Sequence, residues 1–404
     1  MNAACRIVVG ALLAVMLARS ATAEIKGDVV LGVLNDETSL FADLHGPGSV
    51  VAAQMAIDDF GGKVNGHPIR LLVGDHQNKP DVAAQIARKW FDELGVDAIV
   101  DVDNSAVALA VSTIAREKDR VLLDTGANTN RLTGDACSPN TIHFTLDNWA
   151  DIHGSITAMA GHGADTWFFL SVDSETGYDM ERQSRPMLEK LGARIVGTVR
   201  YPLNTPDFSS YLLKAQSSKA KVIAIAGGGQ DVANIVKQAR EFGLQQGGQQ
   251  IAALAAYMTD VRAIGLPVAQ GMIITDAFYW DLNPQTRAFA KRFAERFKGR
   301  MPTSYHAGVY AAVLHYLKAV SALNEADDGK AVVAQMKAMP TDDPLFGHGE
   351  IRVDGRAIHP MYVFKVKAPA ESKGDWDVLD LLDTIPEDQA FKPLDPACFL
   401  VKHP

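Results

Sequence analysis

Short apolar runs alternate with amphipathic stretches along this chain in two successive series, and that alternation restricts its possible folds more than any other feature. Val29-Val30-Leu31-Gly32-Val33-Leu34 is a strand-like run, followed by a turn-rich stretch through Gly48. Val50 to Phe60 has helical spacing and stops at Gly61-Gly62. Ile69 to Val73 reads as a strand and Asp81 to Leu94 as a helix. Ala98 to Val100 leads to Asn104-Ser105, where a helix begins with Ser105 as N-cap, and Arg120 to Asp124 is a fourth strand. Four such units in series predict a parallel sheet covered by helices on both faces.

The pattern resumes after Pro139. Ile152 to Ala160, Asp179 to Leu191, Asp207 to Ser217 and a stretch ending at Phe242 read as helices. They alternate with strands at Trp167 to Val172, Arg194 to Val199 and Lys221 to Ala226, and Ile251 to Leu254 and Met272 to Thr275 add two more. Three helices follow, at Pro284 to Lys298, Tyr305 to Leu323 and Gly329 to Met339. Ile351 to Arg356 predicts a hairpin turning at Asp354-Gly355, with Tyr362 to Lys367 as its partner strand. From Ala368 the chain is rich in proline and charge and is expected to wrap the surface.

The first 23 residues have the order of a cleavable secretory signal: Arg6, an apolar run from Ile7 to Leu17, then the small-x-small site Ala21-Thr22-Ala23. That run is too short for a membrane span of about 20 residues. Cleavage after Ala23 places the chain in the periplasm, with no direct membrane insertion. Net charge is −9 and becomes more negative when Arg6 and Arg19 leave, which argues against nucleic acid as a partner. Past the signal only Cys137 and Cys398 remain. In an oxidising compartment such a pair reads first as a disulfide, closing a loop of about 260 residues, with two separate thiols as the alternative.

Several segments together resemble the type I periplasmic binding proteins of ABC importers, in the leucine/isoleucine/valine-binding branch. They are Ala52 to Gly66, Ser105 to Ala110, Gly126 to Thr133, Pro206 to Ser209 and Lys237 to Leu244, in that order and spacing. The resemblance implies an α/β fold of two Rossmann-like lobes with parallel sheets, joined by a hinge that the chain crosses three times, near Thr145, Asp276 and Phe346. One lobe would hold residues 24–144 and 276–345, the other 145–275 and 346–404. They would close like a clamshell on a small solute and dock on a membrane permease. A ligand-sensing receptor feeding a signalling partner is the other use of this fold.

The candidate ligand-binding residues lie in loops after strands, where open α/β sheets bind ligands. Asn104 and Ser105 open a helix whose N–H groups suit an oxyanion. Gly126 admits close backbone approach, and Asn128 aligns with a side-chain donor of the family. Asp173, Thr176 and Tyr178 represent the other lobe, and Phe41 adds an apolar wall, as Trp149 does in a second candidate position. The amino-acid binders' pattern is broken in three places. Thr176-Gly177 replaces their Tyr-Gly pair, Gly227-Gly228-Gly229 replaces a wall tyrosine, and Ala253-Leu254-Ala255-Ala256-Tyr257 lacks the acid that pairs with a ligand ammonium. Asp173 and Asp260 are the candidates to replace that charge. The changes predict room for a bulkier ligand, an organic acid, aromatic acids included, or an amide. No cofactor or metal is expected: Asp75-His76 with Asn78 has no second His or Cys at ligand spacing, and the Gly227 cluster lacks the third spaced glycine of a dinucleotide loop. No Gly-x-Ser-x-Gly, His-Glu-x-x-His or P-loop occurs, so no enzyme is predicted.

Overall fold

The computed structural model describes residues 24–160 and 163–402. The signal segment lies outside the described residues. Strands β1 (Val29–Asn35), β2 (Lys63–Val64), β3 (His67–Asp75), β4 (Ala98–Asp101), β5 (Val121–Asp124) and β6 (Thr141–His143) form one sheet in the order β2-β3-β1-β4-β5-β6. All its pairings are parallel except the β2–β3 hairpin, which turns at Asn65-Gly66 with both residues at positive φ. β1 is buried on both faces, which is why it reads as a continuous apolar run.

Helices α1 (Gly46–Phe60), α2 (Pro80–Glu93) and α3 (Ser105–Glu117) connect these strands. α1 starts four residues before the expected point. Gly46 and Gly48 read as turn residues, but Gly48 is small for packing: a Cβ there would lie 2.3 Å from Nε2 of His306. The N-cap of α3 is Asn104, not Ser105. Asn104 Oδ1 accepts from the N–H groups of Ala106 and Val107.

The second series comprises α4 (Asn148–Ala160), β7 (Thr166–Val172), α5 (Glu175–Lys190), β8 (Arg194–Tyr201), α6 (Ser209–Ser217), β9 (Val222–Ala226), α7 (Gln230–Glu241), β10 (Gln250–Ala253), α8 (Met258–Ile264) and α9 (Leu266–Ala269). Its sheet is parallel, in the order β10-β9-β7-β8. β11 (Ile273–Asp276) does not join it.

The chain then returns to the first core. In α10 (Pro284–Arg296), α11 (Ser304–Leu323) and α12 (Gly329–Ala338), Phe289, Phe293, Val309, Val313 and Val332 pack with Leu31, Val33, Met55 and Val100. Strands β12 (Thr341–Asp343), β13 (Gly347–Ile351) and β14 (Ala357–Ile358) form a small antiparallel sheet whose Ile351 and Ala357 also lie in the first core. β15 (Met361–Val366) is not the partner of that hairpin, because β14 closes it. β15 instead pairs antiparallel with β11 and with β16 (Leu379–Ile385), so part of the expected surface wrap is a sheet strand.

Between the cores the crossings are tied together. Arg356, fully buried, donates from Nη2 to the carbonyl of Phe144 at 2.5 Å and from Nε to that of Ala357, with Asp147 3.6 Å from Nη1. Nε2 of His359 lies 2.6 Å from the carbonyl of Thr145. Cys137 and Cys398 are joined, fastening the C-terminal tail beside the first lobe.

Candidate functional site

The carboxyl ends of both parallel sheets face one cavity of about 50 Å³. At roughly 10–15 Å³ per water, that is space for a few waters. The loop after β1 supplies Phe41, Leu44 and His45, the loop after β4 supplies Asn104 and Ser105, and that after β5 supplies Gly126 and Asn128. Opposite them stand Ser174, Thr176 and Met180, Leu203, Gly228 and Gly229, then Ala255 and Tyr257. Tyr305 enters from the first turn of α11.

Six of the eight expected ligand residues therefore line one cavity: Phe41, Asn104, Ser105, Gly126, Asn128 and Thr176. The two lobes touch there, with Ser105 Oγ 3.1 Å from Thr176 Oγ1. No side chain fits at Gly126, where a Cβ would sit 2.7 Å from Asp101 Oδ1 and 2.8 Å from Asp103 Cα.

Asp173 and Tyr178 lie elsewhere. α5 begins at Glu175, so Thr176 and Tyr178 are two positions apart on a helix, about 200° around its axis. With Thr176 facing the cavity, Tyr178 turns outward. Its hydroxyl donates to Asp173, and Arg200 stands 5.2 Å from its ring. Asp260 is buried at the start of α8, accepting from the N–H of Tyr257. Trp149 stacks on His153, 4.4 Å between centroids, outside the cavity lining.

Room left by the glycines is largely taken. A Cβ on Gly229 would lie 3.0 Å from the ring of Phe41, so an aromatic wall comes from the opposite lobe. Asp103 is the acid in the cavity lining, but its side chain is fully buried. Oδ1 lies 2.8 Å from Nε2 of His76, and Oδ2 accepts from the N–H of Asp36. The Asp75-His76-Asn78 turn thus braces the binding loop, and Asn78 Oδ1 also accepts from Asn104 at 3.4 Å.

Beneath the loop a second pair, His45 Nδ1 to Asp101 Oδ1 at 3.1 Å, is buried completely. Burial works against the charged form of each, but their mutual attraction prevails. It raises His45 above its ordinary value and, with a hydrogen bond from Asn35, lowers Asp101 to about 2. Asp101 and Val102 both adopt positive φ, +79° and +69°, a conformation that costs about 1–3 kcal/mol per residue and persists where its surroundings hold it.

At the far wall, Asn128 Nδ2 lies 2.9 Å from both Asp151 Oδ2 and the Tyr257 oxygen. The Tyr257 oxygen is 2.8 Å from Asp151 Oδ2 and from the Tyr305 oxygen, which is 3.1 Å from Asn128 Oδ1. The sequence flagged the neighbourhood of Tyr257 but not its side chain. It carried no local signal for Tyr305, which sits in an apolar helix, nor for His45.

Such a site can take a small molecule between two lobes. The chain belongs to the periplasmic binding protein family, whose model matches residues 28–375. A solved periplasmic binding protein from Burkholderia mallei is 42% identical, with a TM-score of 0.89, over 92% of this chain and 99% of that one. A Leu/Ile/Val-binding protein homolog 8 of Brucella suis is 23% identical over 84% of this chain and 87% of its own length. A solute-binding protein of an ABC transporter from R. palustris, solved in complex with benzoate, shares the fold at 19% identity, with a TM-score of 0.77 over 89% of this chain and 97% of that one. The chain is therefore a type I periplasmic substrate-binding protein of the ABC type, in the branched-chain amino acid branch, and not an enzyme. Among the described residues no helix is long and apolar enough to cross a membrane.

Proposed function

We propose that the protein captures a small organic acid, aromatic acids included, or an amide, by clamshell closure of its lobes, and delivers it to the permease of an ABC importer. The observation that carries this reading is the lack of an exposed carboxylate in the cavity lining. Asp103 is fully buried and paired with His76, so an α-ammonium group would be desolvated without a counter-ion. The N-terminus of α3 at Ser105 supports an anionic end for the ligand, and Phe41, Leu44, Val172, Met180 and Leu203 support an apolar body. The benzoate complex of the R. palustris protein is a precedent for an aromatic acid on this fold. In this reading the lobes pivot on the crossings held by Arg356 and His359, with the third crossing at Ile358 to Met361 rather than at Phe346.

A thermal-shift screen against amino acids, aromatic acids, short-chain acids and amides tests it. A ligand at 100 times its Kd adds about 2.7 kcal/mol of stability. Shifts from organic acids or amides are expected. A shift from leucine, isoleucine or valine alone would overturn the reading.

A further inference from the structure

Asn128, Asp151, Tyr257 and Tyr305 make five short polar contacts among themselves, and each contact needs one hydrogen. The Asn128 amide supplies two hydrogens and the two tyrosines one each. Ionised Asp151 supplies none, so the set would be one short and two oxygens 3.1 Å apart or closer would face each other bare. With a proton on Asp151 Oδ2 every contact is filled. Asn128 donates to Asp151 and to Tyr257, Asp151 donates to Tyr257, Tyr257 to Tyr305, and Tyr305 to Asn128 Oδ1. Asp151 Oδ1 is buried and accepts no hydrogen bond, which a neutral carbonyl tolerates far better than a carboxylate oxygen.

We infer that this ring, closed by a proton on Asp151, determines the specificity of the cavity by selecting ligands with a neutral hydrogen-bond donor at the end facing it. The inference rests on the organic-acid or amide reading above and deepens it. Asn128, Tyr257 and Tyr305 line the cavity, and all their hydrogens are spent within the ring. What remains for a ligand is a lone pair on Asn128 Oδ1 and one on the Tyr305 oxygen. A hydroxyl or a carboxamide N–H satisfies them, a bare ring edge leaves them unpaired, and an ammonium group lacks a counter-ion unless Asp151 gives up its proton. Burial likewise holds the Asp151 carboxyl well above the usual carboxylate range. The other acids acting on it are Asp147, the residue just before α4, and Asp276 at the end of β11, and both push in the same direction.

Infrared difference spectra of the wild type against Asp151→Asn, without ligand at pH 7, test the proton directly. The amide keeps the shape but cannot both accept from Asn128 and donate to Tyr257 through one atom. The expected result is a protonated-carboxyl band present in the wild type and missing from the variant, and its absence from the wild type would overturn the ring. Tyr305→Phe provides a second variant. Its three remaining contacts need only the hydrogens of Asn128 and Tyr257, so the band should titrate away at lower pH than in the wild type. Calorimetry with benzoate, 3-hydroxybenzoate and 4-hydroxybenzoate tests selectivity. At least one hydroxylated acid should bind about fivefold tighter than benzoate, and that gain should vanish in Tyr305→Phe. Equal binding of all three acids would refute the selectivity. If none binds while the band is present, the ring stands and the aromatic-acid reading falls.

Discussion

Replacing His45 by Phe keeps a ring of similar size against Tyr305, 4.1 Å away between centroids, and removes the cation that faces Asp101. The stranded carboxylate has one escape, which is to take up a proton. Unfolded, Asp101 titrates at its ordinary 3.8, so holding it neutral costs about 4 kcal/mol at pH 7 and just under 2 kcal/mol at pH 5. That is the range expected for breaking a buried pair, about 3–5 kcal/mol. The wild type has its own pH dependence. His45 has a raised folded value, so its contribution is full below 6.5 and is lost as pH rises through that raised value. Asp101 is lowered to about 2, so its contribution is present above 3.8 and lost as pH falls toward 2. Keeping His45 charged costs the wild type under about 1 kcal/mol at pH 7 and almost nothing at pH 5. The difference between the two proteins should therefore grow by about 2 kcal/mol from pH 5 to pH 7. Urea unfolding of both proteins at the two pH values measures it. A destabilisation that is equal at both would mean that Asp101 is not a buried anion held by His45.

Two further outcomes follow from the same geometry. Reducing the Cys137–Cys398 bond releases a closed loop spanning 261 positions, which the chain-entropy model puts at about 5 kcal/mol. The melting temperature should fall by several degrees, and an unchanged melting curve under reductant would count against a stabilising bond. Phe41→Ala should clear the space above Gly229 and shift preference toward longer aromatic acids. In a thermal-shift comparison 2-naphthoate should gain on benzoate, and an unaltered ranking would show that Phe41 does not limit ligand size.

The two series of strands and helices are legible in the sequence because the inner parallel strands, such as β1, β4, β7 and β9, are buried on both faces and read as apolar runs, and the helices carry their own periodicity. Pro284 to Leu323 was read nearly to the residue for the same reason. What failed locally failed where a residue type had a second use. Gly46 and Gly48 signal a turn, but Gly48 is small because His306 lies against α1, and Gly177 hides the first turn of α5 because a side chain there would meet the carbonyl of Val172. Missing that turn is what put Tyr178 on the wrong side. Strand pairing at the C-terminus was misassigned because a hairpin signal fixes the turn but not which later strand closes it.

The site divides along the same line. Cavity-lining residues placed by local backbone form, such as Asn104, Ser105 and Gly126, are legible from strand ends and helix starts. The ring at the far wall joins positions 128, 151, 257 and 305, drawn from both series and from the helix that returns to the first core. Asp151, Tyr257 and Tyr305 are ordinary in their own segments, and the Ala253 to Tyr257 stretch reads only as lacking an acid. An acid does lie nearby, Asp151 on α4 behind the tyrosine, and the proposed hydrogen count makes it neutral. A sequence comparison aligned on the expected position reports the charge as missing. In the proposed ring the Asp151 proton is spent on Tyr257, and what reaches the cavity is the pair of acceptors it leaves on Asn128 and Tyr305.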